Sequence, residues 1–203
     1  MEGKNVYSLI SRISKFYDLC LKLTGYEKSV NNFVSQLPIK RENHISVLDA
    51  GCGTGLYSLS ILKQFPNSRI TAFDSHNKLV DYFLKKIKAR GLSSRVHLFC
   101  ADIQGPLKEI ENKKFDLIIT AGVLEYVNLE KTVNHLSNHL NPGGYFLNSP
   151  VKNNWVGRLV GKLYRCKPYP RDRNLKAFTK IGFTADKFFV SKFFKELHIF
   201  KKG

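Results

Sequence analysis

The stretch that most constrains this chain is Val47-Leu48-Asp49-Ala50-Gly51-Cys52-Gly53-Thr54-Gly55, an apolar strand that ends in an acid and breaks into three closely spaced glycines. Glycine has no Cβ, so it lets a ligand come close to backbone N–H groups at the start of the helix that follows; such a turn predicts a nucleotide-like ligand. The dinucleotide fingerprint sets its third glycine three residues after the second. Here Gly51, Gly53 and Gly55 fall at every other position and Leu56 stands where the fingerprint needs glycine, which disfavours a nicotinamide or flavin cofactor.

From His44 onward strand and helix patterns alternate, which predicts a parallel sheet covered by helices on both faces. Strands are expected over 45–50, 69–73, 96–100, 115–121 and 145–148, the last entered through the turn Asn141-Pro142-Gly143-Gly144. The helix after the glycines carries Leu56, Leu59, Leu62 and Phe65 on one side before Pro66 ends it. A second, over 77–90, turns Leu79, Val80, Phe83, Leu84 and Ile87 inward and stops at Gly91. A last helix is expected over 175–182, and the β-branched and aromatic content of 183–201 predicts two antiparallel strands. A length of 203 residues allows one domain: a helical cap over 1–43, a core over 44–150, and a basic helical insertion with the terminal hairpin over 151–203.

The pattern D-x-G-x-G-x-G after a hydrophobic strand resembles the first motif of the class I S-adenosylmethionine-dependent methyltransferases, in which this turn wraps the methionine moiety. The resemblance implies an α/β, Rossmann-like, seven-stranded and mostly parallel sheet with an antiparallel C-terminal hairpin. It implies S-adenosylmethionine as cofactor, held by Asp49, Gly51, Cys52, Gly53 and Gly55. It gives Asp74, at the tip of the second strand and followed by Ser75, the two ribose hydroxyls. It sets Asp102 beside the adenine amino group and Ile103 against the ring. Turn and capping chemistry alone also favours aspartate at positions such as 74 and 102. Ala121 closes the fourth strand, and Gly122 to Val127 is similar to the family segment that flanks the transferable methyl. On the acceptor side the candidates are Tyr17, Asp18, His76, Glu125 and Tyr126; Glu125 either orients a ligand or faces solvent near a helix start. Phe16-Tyr17-Asp18 also looks like the segment upstream of the core in quinone-biosynthesis and phospholipid methyltransferases. Amino-directed nucleic-acid methyltransferases carry Asp/Asn-Pro-Pro-aromatic after the fourth strand, where this chain reads Thr-Ala-Gly-Val, and Asn148-Ser149-Pro150 comes one strand too late.

The net charge is +17, and residues 151–203 hold +11 of it, with fourteen Lys/Arg against three Asp/Glu. Such a region is a candidate surface for phospholipid headgroups, nucleic acid or an acidic partner, with a merely solvated lysine-rich face as the bland alternative. Two basic amphipathic segments flank the core, one carrying Val6, Leu9, Ile10, Ile13, Phe16, Tyr17 and Cys20, the other Val151, Trp155, Val156, Leu159, Val160, Leu163 and Tyr164. The four cysteines are scattered without a C-x-x-C pair, and His135 and His139, though on one helix face, lack a third ligand, so no metal is expected. No signal peptide or spanning segment is expected, which predicts a cytoplasmic protein, peripheral on a membrane at most. The function expected is methyl transfer to a small-molecule or lipid-like acceptor at an anionic membrane surface. An RNA methyltransferase using the basic tail and a non-catalytic partner protein of the same fold are the alternatives. Oligomeric state is not legible.

Overall fold

The computed structural model describes residues 25–155, 158, 162, 166, 168–190 and 196–203; the helix expected over 6–20, with Tyr17 and Asp18, lies outside them. Seven strands stand in one sheet in the order β3-β2-β1-β4-β5-β7-β6. The mixed sheet, parallel but for its C-terminal strands, is the fold the sequence resemblance implied. The chain divides into two compact units, residues 1–105 and 106–203.

In the first unit the order is α1 (Tyr26–Ser35), β1 (Ser46–Ala50), α2 (Leu56–Gln64), β2 (Arg69–Asp74), α3 (Asn77–Ala89) and β3 (Val96–Cys100). The strands pair in parallel, Ala50 opposite Phe73 and Phe73 opposite Phe99, so β1, β2 and β3 end at one level. Helix α2 departs from the single apolar stripe expected of it: Tyr57, Ser58, Ser60, Ile61, Leu62 and Gln64 are buried, while Leu56 and Leu59 are only half-buried. The cause is α1, which packs on α2 and gives its polar residues partners. The Ser60 hydroxyl donates to Asn31 Oδ1 at 2.7 Å and Gln64 Nε2 donates to the Asn31 carbonyl at 2.8 Å. On α3 the buried stripe is Leu79, Phe83 and Ile87, spaced four apart; Leu84, expected inward, is 37% exposed because a stripe this narrow excludes its neighbour.

The second unit runs β4 (Phe115–Ala121), α4 (Leu129–Ser137), β5 (Leu140–Ser149), α5 (Arg171–Thr179), β6 (Phe183–Val190) and β7 (Glu196–Lys202). Strand β5 starts at Leu140 rather than Tyr145, since Leu140 already pairs with Phe115 and a register shift before Leu117 absorbs the Pro142-Gly143-Gly144 segment. A proline is tolerated in a strand at such an irregularity. Helix α5 likewise begins four residues before its expected start, directly after Pro170, whose fixed φ suits a helix entry. Strand β7 lies antiparallel between β5 and β6. Phe178 anchors this unit's core: it stacks on Phe200 with ring centroids 3.9 Å apart and meets Phe146 and Phe183 edge-on. No described helix is long and apolar enough to cross a membrane.

Phe178 is fully buried, so Phe178→Ala should cost about 3–5 kcal/mol in urea denaturation, the range for a large ring removed from a packed core.

Candidate cofactor site

The first unit's candidate residues gather at the C-terminal ends of β1, β2 and β3. After β1 the chain turns back on itself through Gly51 (φ 80°), Gly53 (φ 54°) and Gly55 (φ 81°), all left-handed. The turn is pinned at three points. Gly51 and Cys52 both donate N–H to the Phe73 carbonyl at 2.9 Å, Gly55 donates to the Cys52 carbonyl, and Gly53 donates to Asp74 Oδ2 at 2.9 Å. Gly55 has a second reason to be glycine: a Cβ there would stand 2.1 Å from the ring of Phe83, which is fully buried. Over Gly53, by contrast, a Cβ would meet nothing within 4 Å. The close contact is therefore structural at Gly55, and open space lies over Gly53.

Asp74 is the junction of the cluster. Its Oδ2 takes the Gly53 N–H, and its Oδ1 takes the His76 N–H at 3.0 Å with His76 Nδ1 at 3.4 Å. A carboxylate offers about four acceptor positions, and the two backbone bonds with the longer imidazole contact leave Oδ2 the freer oxygen. Ser75 is exposed, its hydroxyl 3.0 Å from His76 Nδ1. Asp102 is exposed and its Oδ1 accepts the Gln104 N–H at 2.9 Å, so it closes its own turn with one oxygen, while Ile103 beside it is buried.

Asp49 sits behind the glycines, 2% exposed. The Ser58 hydroxyl donates to its Oδ2 at 2.6 Å and the Ser58 backbone N–H donates to the same carboxylate. Ser58 was not singled out from the sequence; the available signal was a small polar residue in the first turn of the helix, three residues past the last glycine. Burial pushes the Asp49 carboxyl up to about 6 against the pull of the two Ser58 bonds, with Asp74 adding repulsion. The same burial, with Asp49 and Asp74 nearby, raises the Cys52 thiol well above its ordinary range, so it stays a neutral wall.

In the second unit Ala121 ends β4 half-buried, and Glu125 is 4% exposed, which removes the reading that it faces solvent. Its Oε1 accepts the Val151 N–H at 2.5 Å, tying the turn after β4 to the chain after β5, and its Oε2 is buried without a partner. Tyr126 is half-buried beside it. A cavity of about 490 Å³, unmarked by any sequence motif, opens at the end of β5 and is lined by residues that include Pro150, Lys152, Tyr169, Arg171, Asn174 and Glu196. Its lining residue Asn174 is held by a buried polar chain: Thr120 donates to Asn148, and Asn148 Nδ2 donates to Asn174 Oδ1 at 3.3 Å. Arg171 binds Glu196 through two 3.2 Å contacts, and the His198 bond, helped by Arg171, pulls the Glu196 carboxyl down to about 2. His139 Nδ1 lies 3.2 Å from the Lys113 carbonyl, and among the described residues no three His, Cys, Asp or Glu stand together as a metal site.

The arrangement in the first unit is a strand, a glycine turn and an acid one strand over. Residues 47–144 match the family described as a methyltransferase domain. This is a class I methyltransferase domain. The chain is 33% identical over 136 residues to a malonyl-[acyl-carrier protein] O-methyltransferase from Acetivibrio thermocellus, covering 66% of this chain and 44% of that protein. It is 30% identical over 144 residues to a demethylmenaquinone methyltransferase from Leptospira interrogans, covering 69% of this chain and 57% of the relative. The chain thus spans about half the length of these relatives. An O-methyltransferase family protein from Burkholderia thailandensis shares the fold, with a TM-score of 0.76, 18% identity, and coverage of 93% of this chain and 58% of that one.

Two expectations follow from the methyltransferase turn. Gly55→Ala should lose about 2–5 kcal/mol of stability from the left-handed backbone and the collision with Phe83, whereas Gly53→Ala should lose only about 1–2 kcal/mol; denaturant midpoints separate the two. Asp49 binds its proton more tightly folded than unfolded, so its contribution to stability falls as pH rises from about 4 to about 6. The full span is about 3 kcal/mol, two pKa units at 1.36 kcal/mol each. Asp49→Asn should remove that part of the slope, read as the difference between the wild-type and variant stability–pH curves.

Proposed function

We propose that this chain is an S-adenosylmethionine-dependent methyltransferase acting on a small-molecule or lipid-like acceptor. The observation that carries the reading is the Asp74 carboxylate at the tip of β2, which holds the Gly53 turn through Oδ2 and accepts the His76 N–H through Oδ1, with acceptor capacity left over that suits a ribose hydroxyl. The donor set fits the cofactor. Asp74 would hold the ribose hydroxyls, Asp102 and Ile103 the adenine, and the turn Gly51 to Gly55 the methionine moiety, with the Asp49 carboxylate supplying negative charge behind it. When bound, S-adenosylmethionine supplies a sulfonium methyl that passes in line to the acceptor's nucleophile and leaves S-adenosylhomocysteine. The residues of this chain contribute position and exclusion of water, terms that dominate when two reactants need only be brought together. The neutral Cys52 thiol and buried Ile103 are the apolar part of that wall.

The relatives support the acceptor class: one is named as a malonyl-[acyl-carrier protein] O-methyltransferase, the other as a demethylmenaquinone methyltransferase. A base is needed only where the acceptor oxygen arrives protonated, and His76, Glu125 and Tyr126 are then the described candidates to receive the proton. The strongly basic 151–203 region favours an anionic surroundings for the acceptor, and the reading places the reaction in the cytoplasm at an anionic membrane surface.

Calorimetric titration with S-adenosylmethionine is the test, with Asp74→Ala and Asp74→Asn beside the wild type. Loss of two hydrogen bonds to a charged group should weaken binding at least about a hundredfold in the alanine variant. A folded wild type that binds no S-adenosylmethionine would overturn the enzyme reading and favour a non-catalytic partner protein.

A further inference from the structure

Trp155 is the chain's single tryptophan, and it is 73% exposed. Sequence periodicity groups it with the apolar residues of its segment; the structure instead stands it in water. Trp155, Arg158 and Lys162 each lie in helical backbone, and all three are exposed. The Arg158 N–H donates to the Asn154 carbonyl at 2.8 Å, which fixes the first turn. At helical spacing, positions three and seven apart fall on one face, which groups the indole, the guanidinium and the ammonium. Isolated exposed leucines need no explanation, but a large aromatic held almost wholly in water beside two cations does. Indole has an apolar body and one N–H donor, the composition that settles at the headgroup level of a bilayer, and basic neighbours add attraction when the lipid is anionic.

We propose that the Trp155–Arg158–Lys162 face docks on an anionic lipid bilayer, the indole at headgroup depth and the two cations on lipid phosphates. Charge complementarity selects the occupant, since this face pairs two exposed cations and belongs to the segment 151–203, which carries +11. The chain just before it, from Pro150 to Asn154, forms one wall of the 490 Å³ cavity. Docking therefore brings a wall of that cavity to the bilayer surface, a consequence that rests on the lipid-like acceptor reading, whereas docking itself does not.

The single tryptophan makes the test direct, because all indole fluorescence of the full chain comes from position 155. With phosphatidylglycerol vesicles the emission should move to shorter wavelength and saturate, while phosphatidylcholine vesicles and free glycerol phosphate leave it unchanged. Arg158→Gln with Lys162→Gln should weaken the vesicle response about thirtyfold, at one basic residue's worth of surface attraction each; both side chains are exposed, so folding is not at stake. Emission that stays constant while the protein sediments with the vesicles would overturn the proposal by placing contact on another face. So would an equal shift with phosphatidylcholine, or a shift produced by single-stranded RNA and not by vesicles. None of these readouts requires S-adenosylmethionine, so a failure here and a failure of the cofactor titration are told apart.

Discussion

The hydrogen bond from the Gly53 backbone to the Asp74 carboxylate is the contact on which the candidate cofactor site depends. Three left-handed glycines in five residues are a poor choice for an ordered turn, because glycine loses the most backbone freedom on folding. The turn is ordered by what surrounds it: the Phe73 carbonyl takes two N–H groups, Asp74 takes a third, and Phe83 packs into the place of the missing Gly55 Cβ. Asp74 and Phe73 are adjacent at the tip of β2, so the parallel register that sets Ala50 opposite Phe73 also sets the turn against its acid. Strand pairing, turn geometry and the Asp74 carboxylate are one device.

The second unit repeats the arrangement with different consequences. Glu125, after β4, receives the N–H of Val151, after β5, as Asp74 receives that of Gly53. In both cases an acid beyond one strand holds the backbone beyond its neighbour, at the strand ends where open α/β sheets bind ligands. Asp74 keeps partial exposure, while the second oxygen of Glu125 is sealed off without a partner. A buried acceptor left unsatisfied carries a desolvation cost, so the loop Glu125 holds is tied by a group under tension with its surroundings. That loop is the wall of the cavity and the approach to Trp155.

Legibility followed the range of the forces involved. The apolar run of β4 and the glycine-broken end of β1 could be read because strand burial and turn conformation are local properties of a few adjacent residues. The spacing from Gly51 to Asp74 was readable because one helix and one strand of ordinary length separate them. The burial of α2 on nearly every side was not readable, since it depends on α1 bringing Asn31 to Ser60 and Gln64 from about thirty residues away. Glu125 left two readings open for the same reason: only its contact with Val151, across 26 residues, decides that it faces inward. The buried polar chain from Thr120 through Asn148 to Asn174 comes from three elements and leaves no periodic trace. Periodicity set Trp155 on an apolar face but could not say whether that face is covered; Trp155 is exposed, and Val156, Leu159, Val160, Leu163 and Tyr164 lie outside the described residues.

Charge sorts the two kinds of ligand this domain is proposed to meet. The acids at the strand ends, Asp49 and Asp74, lie inside a chain whose net charge is +17, and Asp49 is held there at the cost that moves its carboxyl up to about 6. A group kept ionised against burial is stabilised by a cation placed beside it, and a sulfonium with its ammonium is such a cation. Burial in the apo protein is therefore a reserve released on binding the cofactor, and it works against an anionic ligand in the same position. The periphery has the opposite sign. Its positive potential concentrates anionic surfaces and acceptors at long range, falling off with ionic strength. A cation is thus drawn to the turn behind Gly53 and an anion to the outside, so that each ligand is disfavoured at the other's place by the same distribution of charge.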